Sequence, residues 1–340
     1  MSLTSNWSGP PLLSILIPTY NRSTYLMNLL EELQCQLLHC PRGTVEVVIS
    51  DNCSIDETSS ICEHAISSCL SIRYIAQVTN IGPDNNFLAL INEAKGKFFW
   101  MIGDDDLPRR ALLPLLVNFL RDKNPALLYL PSIWSPVISP LDLIPILKIN
   151  PIEDDYLRFA RRHHIWTTFI SAWIVNRDVL VNCNVSLETI SLGIGSYFIQ
   201  LGWILPVLLR SNLPFFSIKV ACIMATSCNN RGSHFLRTFC INYPDTVMRL
   251  VGQDKRLVKS LINPFLRTYL PGLILGVRVA HLGDKVSAKT QLFPMIKRLW
   301  HYPSFWLFCL PALLVPPPLI LGLRSLKNTI FYKKVPKTDG

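Results

Sequence analysis

The chain has 340 residues, an apolar share of 49%, a mean hydropathy of +0.30 and a formal charge of +10 at pH 7. That much apolar side chain supports a sizeable core and excludes an intrinsically disordered chain. Its basic residues are interspersed with long aliphatic runs rather than densely clustered, which favours an anionic membrane surface over nucleic acid as a partner.

The charge is uneven along the chain. Residues 1–125 carry 9 Lys+Arg against 13 Asp+Glu, and the remainder 24 against 10. A slightly acidic part joined to a basic, greasy part predicts two different jobs. The ten cysteines form no Cys-x-x-Cys pair and meet no His at zinc-ligand spacing, so they are expected to be reduced, buried apolar fillers. Leu12 to Ile17 is too short for a secretory segment and ends at Pro18, so a cytoplasmic protein is expected.

In chain order, Leu13 to Ile17 predicts a first strand, and Pro18, Thr19, Tyr20, Asn21 and Arg22 its exit loop. A helix follows from Ser23 or Thr24, with Leu26, Leu29, Leu30, Leu33 and Leu37 on one face. Val45 to Ser50 predicts a second strand ending at Asp51 and Asn52. Ser54 and Glu57 have the spacing of a capping box for the next helix. Asp51 is left without a capping role, and its position past a strand suits a base or ribose. Ile72 to Ile75 predicts a third strand; a turn at Asn80 to Asn86, containing Asp84, leads into a helix bearing Phe87, Leu90, Ile91 and Ala94.

The fourth strand is the five-residue apolar run Phe98 to Ile102, buried on both faces, followed by Gly103 and then Asp104, Asp105 and Asp106. In an open α/β sheet, ligands sit outside the carboxyl ends of the strands, so these acids would line the ligand crevice. Adjacent carboxylates repel, and a hard divalent cation, Mg²⁺ or Mn²⁺, that keeps positions free for phosphate oxygens relieves this. A diphosphate is the ligand such a site would take. The next helix is expected to begin at Pro108. Strand and helix alternate throughout, so a doubly wound, mostly parallel sheet is predicted.

Four stretches in this order, Ser14 to Arg22, Val48 to Asp56, Asn80 to Phe87 and the Asp triplet, resemble the family 2 glycosyltransferases of the GT-A fold. The likeness is strongest to the bacterial branch with abequosyltransferases and rhamnosyltransferases of surface-polysaccharide assembly, and covers about residues 12 to 125. It implies an α/β GT-A fold and inverting transfer from a nucleotide-sugar donor, a deoxyhexose being one class, to a lipid-linked or surface saccharide, with a divalent cation. It implies that Pro18, Thr19, Tyr20, Asn21 and Arg22 line the nucleotide pocket with Tyr20 near the base. Asp51 and Asn52 would bind base or ribose, Asp84 would lie near ribose or diphosphate, and Asp104, Asp105 and Asp106 would serve nucleotide and metal. The family's Asp-x-Asp fits Asp104 and Asp106, but a second register aligns Asp105 with the metal ligand and Gly103 with the first acid. A nucleotidyltransferase shares this sheet type but favours a Gly-rich first loop, and Pro18 to Arg22 has no Gly.

The second half is less legible. Leu127 to Leu130 predicts a strand, and five prolines then break the chain up to Pro151. Glu153 to His164 predicts a helix ending in a solvated Arg161, Arg162, His163, His164 cluster. The family's acidic pair is missing from Gly193 to Gln200, so the catalytic base stays open among Asp178, Glu188 and His234. Asp178 is expected to cap a helix and Glu188 to lie in a loop. From residue 249 onward there are 15 basic and 3 acidic residues. Phe305 to Leu323 carries no charge but contains Pro311 and Pro316 to Pro318, so an in-plane or re-entrant segment is preferred to a full span. The chain is thus expected to divide into a nucleotide-sugar half (1–130), an acceptor half (131–245) and a basic, helical, membrane-associating region (246–340). It would work at the inner face of the cytoplasmic membrane on a polyprenyl-linked acceptor. A catalytically inactive nucleotide-sugar-binding protein of the same fold is the alternative.

Overall fold

The computed structural model describes residues 9–69, 71–138, 143–226, 235–278 and 292–316. Two compact units emerge: residues 1–228 with 246–260, and residues 229–245 with 261–340.

The first unit is built on alternating strands and helices: β1 (Leu13–Thr19), α1 (Ser23–Leu37), β2 (Val45–Asp51), α2 (Thr58–Ser68), β3 (Ile72–Ala76), α3 (Pro83–Glu93) and β4 (Phe98–Met101). Then come β5 (Leu107–Pro108), α4 (Leu112–Lys123), β6 (Leu127–Tyr129), β7 (Ser132–Ser135), β8 (Pro151–Asp154) and α5 (Tyr156–His163). After these follow β9 (Trp173–Asn176), α6 (Arg177–Asn182), α7 (Leu187–Ser191), α8 (Leu201–Arg210), β10 (Phe215–Ile218) and β11 (Ile223–Thr226). Eight strands form one sheet in the order β3-β2-β1-β4-β9-β6-β10-β8. β1 to β4, β6 and β10 run one way; β9 and β8 run against them. The start of antiparallel β9 therefore lies beside the carboxyl ends of β4 and β6, where the acidic loop begins.

Strand alternation divides the core. Leu13, Ile15, Ile17, Val47, Ile49, Phe98 and Trp100 share one cluster with Leu26, Leu29, Leu30 and Leu33 of α1 and Leu112, Leu113 and Leu116 of α4. α3 covers β1 and β2, and α8 packs on β6, with Trp203 edge-on to Phe99 at 6.3 Å between centroids. Helices thus cover both faces, as a mainly parallel sheet requires.

Several local expectations need correction. Pro108 lies in β5, paired with Ile223, and the helix starts only at Leu112. No capping box forms: Glu57 is the residue before α2, and the Asp56 carboxylate accepts from Thr58 N (3.1 Å) and from Ser23 N (3.0 Å), so one acid serves two helix starts. Glu153 belongs to β8, and α5 begins after Asp155, whose side chain accepts from Leu157 N and Arg158 N. His163 and His164 are buried rather than solvated. Asn176, not Asp178, caps α6, and Glu188 sits in the first turn of α7. The nine described cysteines are free thiols, but only Cys62, Cys183, Cys222, Cys240 and Cys309 are buried fillers; Cys40, Cys53 and Cys69 are half-buried and Cys35 is exposed.

The described residues of the second unit are helical: α9 (Phe235–Arg237), a π-turn at Thr238–Asn242 leading into α10 (Tyr243–Val251), α11 (Lys255–Pro264), a π-turn at Phe265–Tyr269, α12 (Leu270–Arg278), α13 (Leu292–Leu299), a π-turn at Phe305–Cys309 and α14 (Leu310–Leu314). Parts of α10 and α11 fall in the first unit. Tyr243 packs on Phe265 (5.0 Å) and Phe239 on Tyr269 (5.3 Å), and Arg298 Nε donates to both oxygens of Asp245 (2.8 and 2.9 Å). Among the described residues no helix is long and apolar enough to cross a membrane. The helical stretch at 303–314 would be about 18 Å long against a hydrocarbon core of about 30 Å. Residues 317–323 of the uncharged segment lie outside the described residues.

Candidate active site

Three loops at the carboxyl ends of β1, β2 and β4 meet. Asn21 adopts the left-handed backbone (φ 52), which asparagine tolerates. From there its N–H donates to Ser54 Oγ (2.8 Å) and its Oδ1 accepts from Ile55 N (2.9 Å), fastening the first loop to the second. Tyr20 remains 45% exposed beside this junction, free to meet a ligand.

Asp51 ends β2 and is buried. It caps no helix, as expected, but it has a structural duty in the loop: Oδ1 accepts from Ser54 N (2.9 Å) and Ser54 Oγ (2.5 Å), and Oδ2 from the Tyr74 hydroxyl (2.8 Å). Its carboxylate is thereby fixed in direction. Asn52 is committed to the Asn80 turn, donating to Asn80 Oδ1 (2.9 Å) and accepting from Ile81 N (2.8 Å). Asp84, in the first turn of α3, accepts from Gly195 N (2.8 Å) and so ties the first half of the sequence to the hydroxyl-bearing segment 193–200. Asp84 is a carboxylate that reaches this segment, which has none of its own.

The three acids have different surroundings. Ser171, just before β9, accepts from Gly103 N (2.9 Å) and donates to Asp106 Oδ2 (2.5 Å); Thr226, at the end of β11, gives its N–H to Asp106 Oδ1 (3.2 Å) and its hydroxyl to the Asp105 carbonyl (2.6 Å). Both Asp106 oxygens thus face the protein. Arg22 Nη1 reaches Asp104 Oδ1 (2.9 Å) and Asp105 Oδ2 (3.2 Å). The Asp104 side chain is 4% exposed and that of Asp105 20%, so Asp105 is the more accessible of the pair. Burial pushes the Asp104 carboxyl up to about 6 despite the Arg22 guanidinium beside it, and burial pushes Asp106 up to about 7 against the Ser171 hydrogen bond.

Crowded, desolvated carboxylates are a donor set that a hard cation suits. Among the described residues no group of three or more His, Cys, Asp or Glu side chains is arranged to hold an ion by itself. The loop instead offers the accessible Asp105 and, beside it, Asp104. One or two carboxylates completed by phosphate oxygens is how Mg²⁺ is commonly bound, so the residues fit such an ion when a diphosphate is present.

Asp178 and Glu188 make no hydrogen bond or ion pair with the acidic loop among the described residues, and His234 lies outside them. Ser171, Thr226 and Tyr74 were not singled out as holders of these acids by sequence reasoning. Ser54, at i+3 from Asp51, is the one partner a local turn signal could have found.

Residues 14–181 match the model of the family described as glycosyl transferase family 2. The abequosyltransferase RfbV of Salmonella typhimurium is 36% identical over 110 residues, 32% of this chain and 32% of the relative. A GalNAc(5)-diNAcBac-PP-undecaprenol beta-1,3-glucosyltransferase of Campylobacter jejuni is 30% identical over 97 residues, 28% of this chain and 30% of the relative. These matches span less than a third of the length of either curated relative. The crystal structure of Staphylococcus aureus TarS 1-349 in complex with UDP superposes with a TM-score of 0.59 at 17% identity, covering 92% of this chain and 87% of that one, a likeness of fold.

Proposed function

We propose that this chain, which belongs to glycosyl transferase family 2 through residues 14–181, moves a sugar from a nucleotide-sugar donor to a saccharide acceptor by inverting displacement. The observation that carries the reading is the acidic loop after β4, with Asp105 accessible and Arg22 bridging it to the first loop. In this reading Tyr20 and Asp51, with Pro18, Thr19, Asn21 and Asn52 around them, bind base and ribose, and Asp84 lies toward the diphosphate. Asp105, with Asp104, would hold Mg²⁺ or Mn²⁺, and Asp106 would keep the loop in shape. When bound, the ion offsets the charge growing on the leaving diphosphate. Arg22 adds a fixed positive charge at the same point, and the buried hydrogen bonds of Ser171 and Thr226 hold the acids still through the reaction.

The likeness to an abequosyltransferase supports a deoxyhexosyl donor. The likeness to an enzyme named for an undecaprenol-linked glycan supports a polyprenyl-linked acceptor at the cytoplasmic face of the membrane. The test is transfer of label from a panel of nucleotide sugars, with Mn²⁺, into a lipid extract of bacterial membranes. Label in the lipid fraction is the expected result. Binding of a nucleotide without turnover of any donor, hydrolysis included, would leave the inactive binding protein, a reading favoured by the absence of a carboxylate in Gly193 to Gln200.

Membrane association belongs to the same proposal. In the second unit Phe293, Trp300, Trp306, Leu307 and Phe308 are exposed near Lys297 and Arg298 in sequence, the mixture of aromatic and basic side chains that suits a lipid headgroup region. The full chain is expected to float with phosphatidylglycerol vesicles, and Trp306→Ser with Phe308→Ser to lower the floated fraction several-fold. Equal flotation of variant and wild type would remove these residues from the contact.

A further inference from the structure

We propose that Trp134 and Phe169 form a stacking platform for a pyranose ring of the acceptor, at the edge of the acidic loop; this rests on the transferase reading. The two rings come from segments far apart in sequence and meet with centroids 4.6 Å apart at 49°. Yet Trp134 stays 38% exposed and Phe169 only half-buried, so the pair packs on itself and still offers ring surface.

The same acid fixes both segments. Phe169 lies two residues before Ser171, which donates to Asp106 Oδ2. Trp134 is on β7, which pairs in parallel with β11 so that Ser135 stands opposite Thr226, the residue that donates to Asp106 Oδ1 and to the Asp105 carbonyl. Any shift of the acidic loop is therefore felt by the segments carrying both rings. Two aromatic rings held on the supports of the proposed leaving-group site are a pre-formed surface rather than scattered apolar residues.

Strand order distinguishes the sugar side from the nucleobase side. Asp51 ends β2 and Tyr20 follows β1, whereas Phe169 precedes β9 and Trp134 follows β6, across β4 with its acids. From β2 to β9 is three strand spacings, roughly 14 Å at about 4.8 Å each. A base held at β1 and β2 leaves these rings on the opposite flank of the diphosphate, where the acceptor must approach to attack. A pyranose fits them chemically: one face of the ring is lined by C–H groups that rest on the electron-rich face of an aromatic ring.

The test is saturation-transfer NMR on the full chain with methyl glucoside, galactoside, mannoside and rhamnoside. Saturation of the ring protons of at least one of them is expected in wild type and in Trp134→Phe. It should fall at least tenfold in the doubly substituted W134A/F169A protein, with unchanged thermal stability as the folding control. Saturation absent from wild type, or equal in the double variant, would overturn the platform. With any acceptor extract that supports transfer, Trp134→Ala should raise the acceptor KM about tenfold and leave unchanged the affinity for whichever of UDP, GDP, CDP and dTDP the wild type binds. A matching loss of nucleotide affinity assigns the rings to the base and also overturns it. Failure of transfer in wild type with pyranoside saturation intact would sink the transferase reading and leave the saccharide site standing.

Discussion

Asp105→Asn is expected to lower sugar transfer by about 10²- to 10³-fold, about 3 to 4 kcal/mol of transition-state stabilisation, while the fold survives. The loop's backbone at this position is held by the Thr226 hydroxyl on the Asp105 carbonyl, an interaction that does not depend on the side chain. The side chain itself contacts Arg22 and is the more accessible of the Arg22-bound carboxylates, so its charge is available to a ligand rather than committed to the interior. Asn keeps the shape and removes that charge. Two readouts decide the point. Mn²⁺ should raise the thermal midpoint of the wild type in the presence of nucleoside diphosphate, by mass action on the folded state, and should fail to do so in the variant. Wild-type transfer by Asp105→Asn would show that no cation is gripped there. Replacing Asp106 is a poorer probe, because its two oxygens hold Ser171 and Thr226 and a loss of activity would report a loosened loop.

What was legible in the sequence follows from the distance over which each signal acts. The helix α1 was readable because Leu26, Leu29, Leu30 and Leu33 repeat at helical spacing, and all four are buried. The strand before the acids was readable because an unbroken apolar run of five has few other fates in an alternating α/β chain. Where the structure departs from expectation, a partner distant in sequence is responsible. Leu107 and Pro108 look like a helix start, but β11, more than a hundred residues on, captures them as an edge strand. The hydrogen bond from Gly195 to Asp84 spans 111 residues and that from Ser171 to Asp106 spans 65, so neither leaves a local trace. His163 and His164 followed two arginines, a pattern that reads as a solvated helix end. Tyr129 at 3.9 Å, Phe159 at 4.8 Å and Trp173 at 5.9 Å instead enclose His163, and these come from β6, α5 and β9.

That enclosure leads to a pH dependence with a definite sign. His163→Phe combined with Ser217→Ala is expected to leave stability at pH 8 nearly unchanged and to stabilise the protein at pH 5 by about 2 kcal/mol relative to wild type. Burial, with Arg162 and His164 nearby, pulls His163 down to about 3, and burial pulls His164 down to about 4. Both folded values lie below the unfolded value of about 6.5. At pH 8 neither state carries the proton and the histidines contribute nothing to the slope. As the pH falls through 6.5 the unfolded chain takes up protons that the folded chain refuses, so stability is lost progressively until the folded values are reached. Asp104 and Asp106 oppose this, because their folded values, about 6 and about 7, lie above the unfolded carboxylate range and the folded chain gains protons first. The wild-type profile is therefore flatter than either set alone would make it, and the difference between variant and wild type isolates His163. The second substitution matters because His163 Nε2 and Ser217 Oγ are hydrogen-bonded at 2.6 Å in a buried position. Removing one partner alone would strand the other at a cost of about 1 to 3 kcal/mol at every pH, whereas removing both is nearly neutral. Thermal midpoints of the two proteins at pH 8 and pH 5 measure the effect. Parallel shifts at both values would mean that His163 takes up its proton as readily in the folded protein as in the unfolded chain, and that its aromatic enclosure does not exclude charge.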